Sequence, residues 1–393
     1  MMPEVLRPEL IKKIETDRSC RLITYIQSDR GVKVGPGTTG LFQMAGDLPR
    51  RFIDHLGKIG HVDKIGLFLY SRGGDVAVPW VLDNTIRKYC DQFEVIVPYR
   101  AHSAATMVTL GADTIVMGKH AELGPIDPTM SILEVNQEDP TKTKATTIAV
   151  EDITSFIKLA KEGMGLSDQA ELGKAFQQLA EKVGPVALGT ISRQQSYIRR
   201  VAGKLLELRK ESPESAATGS VVESLITQAF FHQHAISREE AKKDFGLGNI
   251  ITPDSALEDT MWDLYLSYES EMGLGSFIKV EDLFQPNDPD EKRVAGIKGI
   301  LIESGELQSQ YGGDLVVNRI RRPLPTVNLN LNLGLPPSTP GGAPQLDQNA
   351  IQQLQVVIQQ VVQEELRRQA PITGYSVRLD RDKWETRPAG QQQ

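Results

Sequence analysis

The chain has 393 residues, enough for two or three domains and a large core, and its 40% hydrophobic and 24% charged content is ordinary for a globular protein. A net charge of −7 argues against a general nucleic-acid binder, which carries a basic stripe. Cys20 and Cys90 form no CxxC pair, which argues against a disulfide framework or structural zinc site, and no apolar run approaches the roughly 18 residues of a membrane span. With no hydrophobic leader in MMPEVLRPELIKKIETDRSC, the expectation is a soluble, cytoplasmic protein.

In chain order, RLITYIQ (21–27) reads as a strand, and DLPRRFIDHLGKIG (47–60) as an amphipathic helix with Phe52, Leu56 and Ile59 on one face. KIGLFLYS (64–71) is a second buried strand, and VAVPWVLDNTIRKYC (76–90) a helix with Pro79 in its first turn. FEVIVPYR (93–100), SAATMVTLGA (103–112) and DTIVMGKHAELG (113–124) follow as strand, helix and extended run. Alternation of apolar strands and helices predicts an α/β fold with a largely parallel sheet covered on both faces. Chemistry in such sheets gathers beyond the carboxyl ends of the strands, where SRGGD (71–75) and AHS (101–103) fall.

Residues 149–210 read as helical, broken at 163–168 and 183–187, with a further helical stretch at 220–233. ISREEAKKDFGLGN (236–249) is a capped helix, with Ser237 as N-cap, Glu240 at its third position and Gly246 ending it. ALEDTMWDLYLSYESEMG (256–273) is another amphipathic helix. The expected organisation is a core over 1–275, then a small β-element at 276–322 with SQYGGD as its turn. A Pro/Asn/Gly-rich linker at 323–348, an assembly helix at 349–369 and a polar, mobile tail at 370–393 complete it.

Two motifs carry chemistry. In SRGGD, the pair Gly73–Gly74 directly after a strand allows a tight turn that can aim an N–H at a developing oxyanion, although a glycine pair also makes an ordinary strand-to-helix turn. In AHSAATM, Ser103 stands where a strand ends and a small-residue helix begins. It is either a capping serine or a nucleophile whose hydroxyl lies near backbone donors.

The order strand–SRGGD–helix–strand–AHSAATM–helix–strand–ELGPIDP resembles the Clp/crotonase-fold serine peptidases. Among these it is similar to signal peptide peptidase A and, more closely, to the serine dehydrogenase proteinases, over roughly residues 8–275. The resemblance implies a Clp/crotonase-like fold of repeated ββα units with a helical insertion. It implies Ser103 as nucleophile, the N–H groups of Gly74 and Ala104 as oxyanion hole, and no cofactor or metal. Stacking of subunits into a homo-oligomer is implied as well.

The base is less marked. No histidine stands in GPIDP (124–128), where Clp peptidases carry theirs, and the side chain of His102 diverges from that of its neighbour Ser103. The signal peptide peptidase relatives use a Ser-Lys dyad with the lysine forty to fifty residues on, so Lys142, Lys144, Lys158 and Lys161 are candidates. Lys144, in the loop expected at DPTKTKATT, is preferred because such a loop can deliver an amine to the active face. The expected function is an ATP-independent serine endopeptidase acting on peptides or unfolded protein. The alternatives are a catalytically inactive scaffold or peptide-binding module of the same fold, and acyl-CoA chemistry, for which no carboxylate base beyond Asp127 is evident.

Overall fold

The structure is a computed structural model that describes residues 6–35, 37–126, 129–135, 143–211, 215–228, 234–285, 287–322 and 348–390. The first third of the chain forms α1 (Arg7–Arg18), β1 (Arg21–Gln27), β2 (Gly31–Val34), β3 (Gly37–Gly40), α2 (Leu48–Ile59), β4 (Val62–Tyr70) and α3 (Val78–Ile86). There follow β5 (Cys90–Val97), β6 (Arg100–Ala101), α4 (Ala104–Leu110), β7 (Thr114–Met117) and β8 (Glu122–Leu123). A hairpin of β9 (Thr129–Val135) and β10 (Thr143–Ala149) leads into α5 (Val150–Lys158), α6 (Gln169–Val183), α7 (Pro185–Glu207) and α8 (Ser215–Glu223). Next come β11 (Ile236–Ser237), α9 (Arg238–Lys243), β12 (Ile250–Ile251), α10 (Ser255–Met272) and β13 (Phe277–Lys279). Last are β14 (Glu291–Glu303), β15 (Leu307–Arg321), α11 (Gln348–Gln369) and β16 (Ile372–Pro388).

Eight strands make one sheet in the order β12-β7-β5-β4-β1-β14-β15-β16. Neighbours run parallel from β12 to β1, and antiparallel from β1 to β16. The period of two along each strand sends alternate side chains to opposite faces. Ile23, Tyr25, Leu67, Leu69, Val95 and Val97 pack with α2, α3, α4 and α7. Leu22, Ile26, Phe68, Tyr70 and Ile96 pack with α1 and α10 on the other side. Both faces are therefore covered, as a buried parallel sheet requires. The helix α1, which the alternating charges of its sequence obscure, is held by Leu10, Ile11 and Ile14 against α10.

The C-terminal region departs from the sequence expectation in three ways. Residues 276–322 are not a separate β-element: β14 pairs with β1 and prolongs the central sheet. SQYGGD is not the turn but lies inside β15, and the chain reverses at 304–306. The tail at 370–393 is not mobile throughout, because its charged and apolar residues alternate as a strand, β16, that pairs along β15. Tyr375, Val377 and Leu379 of β16 pack on a small core around Leu315, Val317 and Ile297. The helix expected at 349–369 is α11, and the linker at 323–348 falls outside the described residues except for its last.

Candidate active site

The carboxyl ends of β1 and β4 and the segment after β6 converge on one groove of about 740 Å³. Its lining includes Gln27, Asp29, Thr38, Phe42, Arg72, Gly73, Gly74 and Ser103. The chain leaves β4 at Ser71, which bridges in parallel to Ala101, and this bridge sets the SRGGD turn beside AHS. Gly73 O accepts from Met44 N at 2.9 Å, and Asp75 N donates to Met44 O at 2.8 Å, so the turn is clamped to the segment before α2.

Both glycines are required by close approach. Gly73 has φ +92°, and a β-carbon there would meet His102 O at 2.6 Å and Ala104 N at 2.9 Å. A β-carbon on Gly74 would lie 2.3 Å from Met44 O and 2.4 Å from Met44 N. A side chain at 74 therefore collides with the clamping segment. The N–H of Gly74 takes no part in the Met44 bridge, which uses Gly73 O and Asp75 N.

Ser103 occupies the N-cap position of α4 with φ 53° and ψ −119°, and its hydroxyl makes no capping hydrogen bond. A non-glycine residue in such a conformation is strained, and strain of this kind collects at functional sites. A strained, uncapped serine on a strand-to-helix turn is the arrangement that exposes a nucleophilic Oγ. The capping interpretation of Ser103 fails on this geometry, whereas Ser237 forms the full capping box with Glu240. Behind Ser103, every residue of α4 is buried, and Thr106 Oγ1 donates within 2.7 Å of Ala101 O and 2.8 Å of Gly124 O, tying the serine turn to the GPI segment.

His102 is turned away from Ser103. Its Nδ1 accepts from Arg72 Nη1 at 2.9 Å, which leaves the ring proton on Nε2. The protonated Nε2 faces Glu122 Oε1 at 3.1 Å. Burial pushes the His102 ring below its ordinary value, which keeps it neutral. The nearby His102 ring, together with Arg100, holds the Glu122 carboxyl down at about 2. With one nitrogen accepting from Arg72 and the other protonated, His102 has no free acceptor for a serine proton.

The structure thus brings Ser103, Gly74 and Ala104 together. Lys144 lies not in a loop but on β10, opposite Glu134 of β9, while Lys142 and Asp127 fall outside the described residues. Lys158 pairs with Glu162 at 3.9 Å and stays 69% exposed, and Lys161 is exposed too. Sequence reasoning missed Ser71, Gln27 and Tyr25, which are fully buried beneath the glycine turn. The available signal was a polar residue ending each of two apolar strands, RLITYIQ and LFLYS.

Comparison with known proteins gives three findings. The family described as ClpP-like SDH-type serine proteinase matches residues 2–183. The uncharacterized protein MJ0137 of Methanocaldococcus jannaschii is 30% identical over 126 residues, covering 28% of this chain and 44% of that one. MJ1495 of the same organism is 29% identical over 96 residues, covering 23% and 33%. The chain therefore spans less than half the length of these curated relatives.

Among solved structures, a mutant of the 1510-N membrane-bound stomatin-specific protease aligns with a TM-score of 0.32 at 14% identity, covering 55% of this chain and 76% of that one. ClpP1 from Listeria monocytogenes aligns with a TM-score of 0.31 at 14% identity, covering 63% and 99%. Such scores add no weight to the family match. Residues 2–183, which hold the clamped glycine pair and the strained serine, are similar to the ClpP-like SDH-type serine proteinases.

Proposed function

We propose that this chain is a serine endopeptidase that cleaves peptides or unfolded protein segments through an acyl-enzyme on Ser103. In this reading the Oγ of Ser103 attacks the scissile carbonyl carbon while its proton passes to the neutral amine of Lys144. The N–H groups of Gly74 and Ala104 stabilise the tetrahedral oxyanion. Collapse breaks the C–N bond, the Lys144 proton leaves with the amine, and water activated by the same amine then releases the acyl group. The protein is proposed to act in the cytoplasm, without ATP and as a homo-oligomer.

The observation that carries the reading is the conformation of Ser103: strained, uncapped and lining a groove beside the glycine pair. Two further observations support it. Ala104 N belongs to the first residue of α4, whose N–H has no partner within the helix, and it lies against Gly73. His102, the one histidine adjacent to the serine in sequence, is already engaged by Arg72.

The test is labelling with a fluorophosphonate probe and hydrolysis of fluorescein-labelled casein. Wild type reacts at Ser103, and Lys144→Ala abolishes both readouts, whereas Lys158→Ala and Lys161→Ala leave them within about twofold, as exposed side chains on a surface should. A lysine base must be deprotonated, so activity rises toward alkaline pH. Full activity in Lys144→Ala with loss in Lys158→Ala would transfer the base role. An unreactive Ser103 in the folded protein would end the peptidase reading.

A further inference from the structure

Beneath the glycine turn lies a buried chain of polar groups. Ser71 Oγ accepts from Gly73 N at 2.9 Å and donates to Gln27 Oε1 at 2.8 Å. Tyr25 Oη donates to the same Gln27 oxygen at 3.1 Å, so both of its lone pairs are engaged. Gln27 Nε2 donates to Phe42 O at 3.3 Å. That contact fixes which end of the amide is which, since a flipped amide would set two oxygens against each other.

Tyr25, Gln27 and Ser71 are all fully buried. Apolar side chains of similar volume would pack there without the cost of desolvating two hydroxyls and an amide. The network therefore needs a reason beyond stability. Its two ends supply one. Phe42 O belongs to the segment that leads to Met44, and Gly73 N belongs to the turn that Met44 clamps. A single side chain, Gln27, thus links both walls of the groove.

We infer that Ser71 and Gln27 are positioning residues for the oxyanion hole. By taking the N–H of Gly73 below the turn, Ser71 anchors the peptide plane just before the one that carries the Gly74 N–H, whose carbonyl end is held by Met44 N. The N–H of Gly74 is thereby left for the oxyanion above Ser103. Gln27 holds the Ser71 hydroxyl in its donating direction, so that its lone pair faces Gly73. Neither side chain touches the reacting atoms. This inference rests on the peptidase reading of Ser103.

The experiment measures saturation kinetics of fluorophosphonate labelling on the full chain, with urea unfolding in parallel. Losing one oxyanion donor lowers a rate by about 10²–10³, so a donor merely misaligned is expected to cost at least about tenfold. In Ser71→Ala the maximal labelling rate falls by that factor while the half-saturating probe concentration stays within about twofold. Ser71→Cys, with similar volume and a weak acceptor, shows the same split and serves if the alanine variant does not fold. Tyr25→Phe, which leaves the Ser71–Gly73 contact in place, loses less than either. Folded Ser71 variants that label at the wild-type maximal rate overturn the inference. So does a fall matched by an equal rise in half-saturating concentration. A wild-type protein that does not label at all removes instead the peptidase reading beneath it.

Discussion

Gly73 backs directly onto Ser103: a β-carbon on the glycine would lie 3.0 Å from the serine Cβ, and closer still to the backbone on either side of it. Gly73→Ala must therefore displace the serine turn while adopting a φ of +92° that alanine disfavours. A stability loss of about 1–3 kcal/mol is expected, together with loss of probe labelling. Urea unfolding and labelling of the same sample check both. Unaltered labelling would show that the turn does not set the serine.

Ser103→Ala removes a hydroxyl that caps nothing, so stability should change by less than about 0.5 kcal/mol while labelling disappears. Ser237→Ala provides the contrast, because it breaks a true capping box and should cost about 1 kcal/mol with labelling retained. Chemical denaturation of the two variants side by side measures the difference. Equal losses would restore Ser103 to the role of an ordinary cap.

His55 is fully buried on α2, with Nδ1 2.9 Å from Ser304 Oγ and Nε2 3.0 Å from Ser309 Oγ. A neutral ring meets one hydroxyl as donor and the other as acceptor. Burial pushes its pKa down from 6.5 to about 4. The unfolded chain therefore takes up this proton first as the pH falls. Stability contributed by the neutral ring is fully present above pH 6.5 and lost progressively between 6.5 and 4. The loss reaches up to about 3 kcal/mol at the lower end. His55→Gln should be less stable at pH 7.5 yet lose less between pH 7.5 and 4.5. Parallel pH slopes in wild type and variant would exclude His55 as the cause.

A stop after residue 322 removes β16, which pairs with β15 over most of its length and contributes Tyr375, Val377 and Leu379 to the core around Leu315. The truncated chain is expected to unfold at a lower temperature and to associate through the bared edge of β15. Calorimetry and light scattering test this. A truncated protein as stable and as monodisperse as the full chain would show that β16 adds nothing to the sheet.

The parallel half of the sheet was legible because its strands are short apolar runs punctuated by glycine and polar turns. RLITYIQ matches β1 residue for residue, and KIGLFLYS differs from β4 by two positions at its start and one at its end. The serine turn and glycine pair were legible for the same reason: they stand where those runs stop. The antiparallel half was obscured because β16, with the sequence ITGYSVRLDRDKWETRP, is largely exposed and alternates charges with only a few apolar residues. Glycines inside β15 imitated a turn, although Gly312 and Gly313 are there because Ile297 O and Asp380 O approach within 2.4 and 2.9 Å of where a β-carbon would stand. The polar network under the turn had no sequence period to reveal it. Gln27, Ser71 and Gly73 meet only once β1 and β4 are paired in register.

The helix α4 has no exposed residue, whereas β3, which borders the same groove, is exposed along its whole length. Local opening is costly where apolar contacts are dense and nearly free where they are sparse. Amide hydrogens of Met107 and Val108 should therefore exchange with deuterium only through near-global opening, while those of Thr38 and Thr39 exchange by local fluctuation. The groove joins a slow wall to a fast one: Ser103 stands at the start of the slow wall, and β3 forms the fast one.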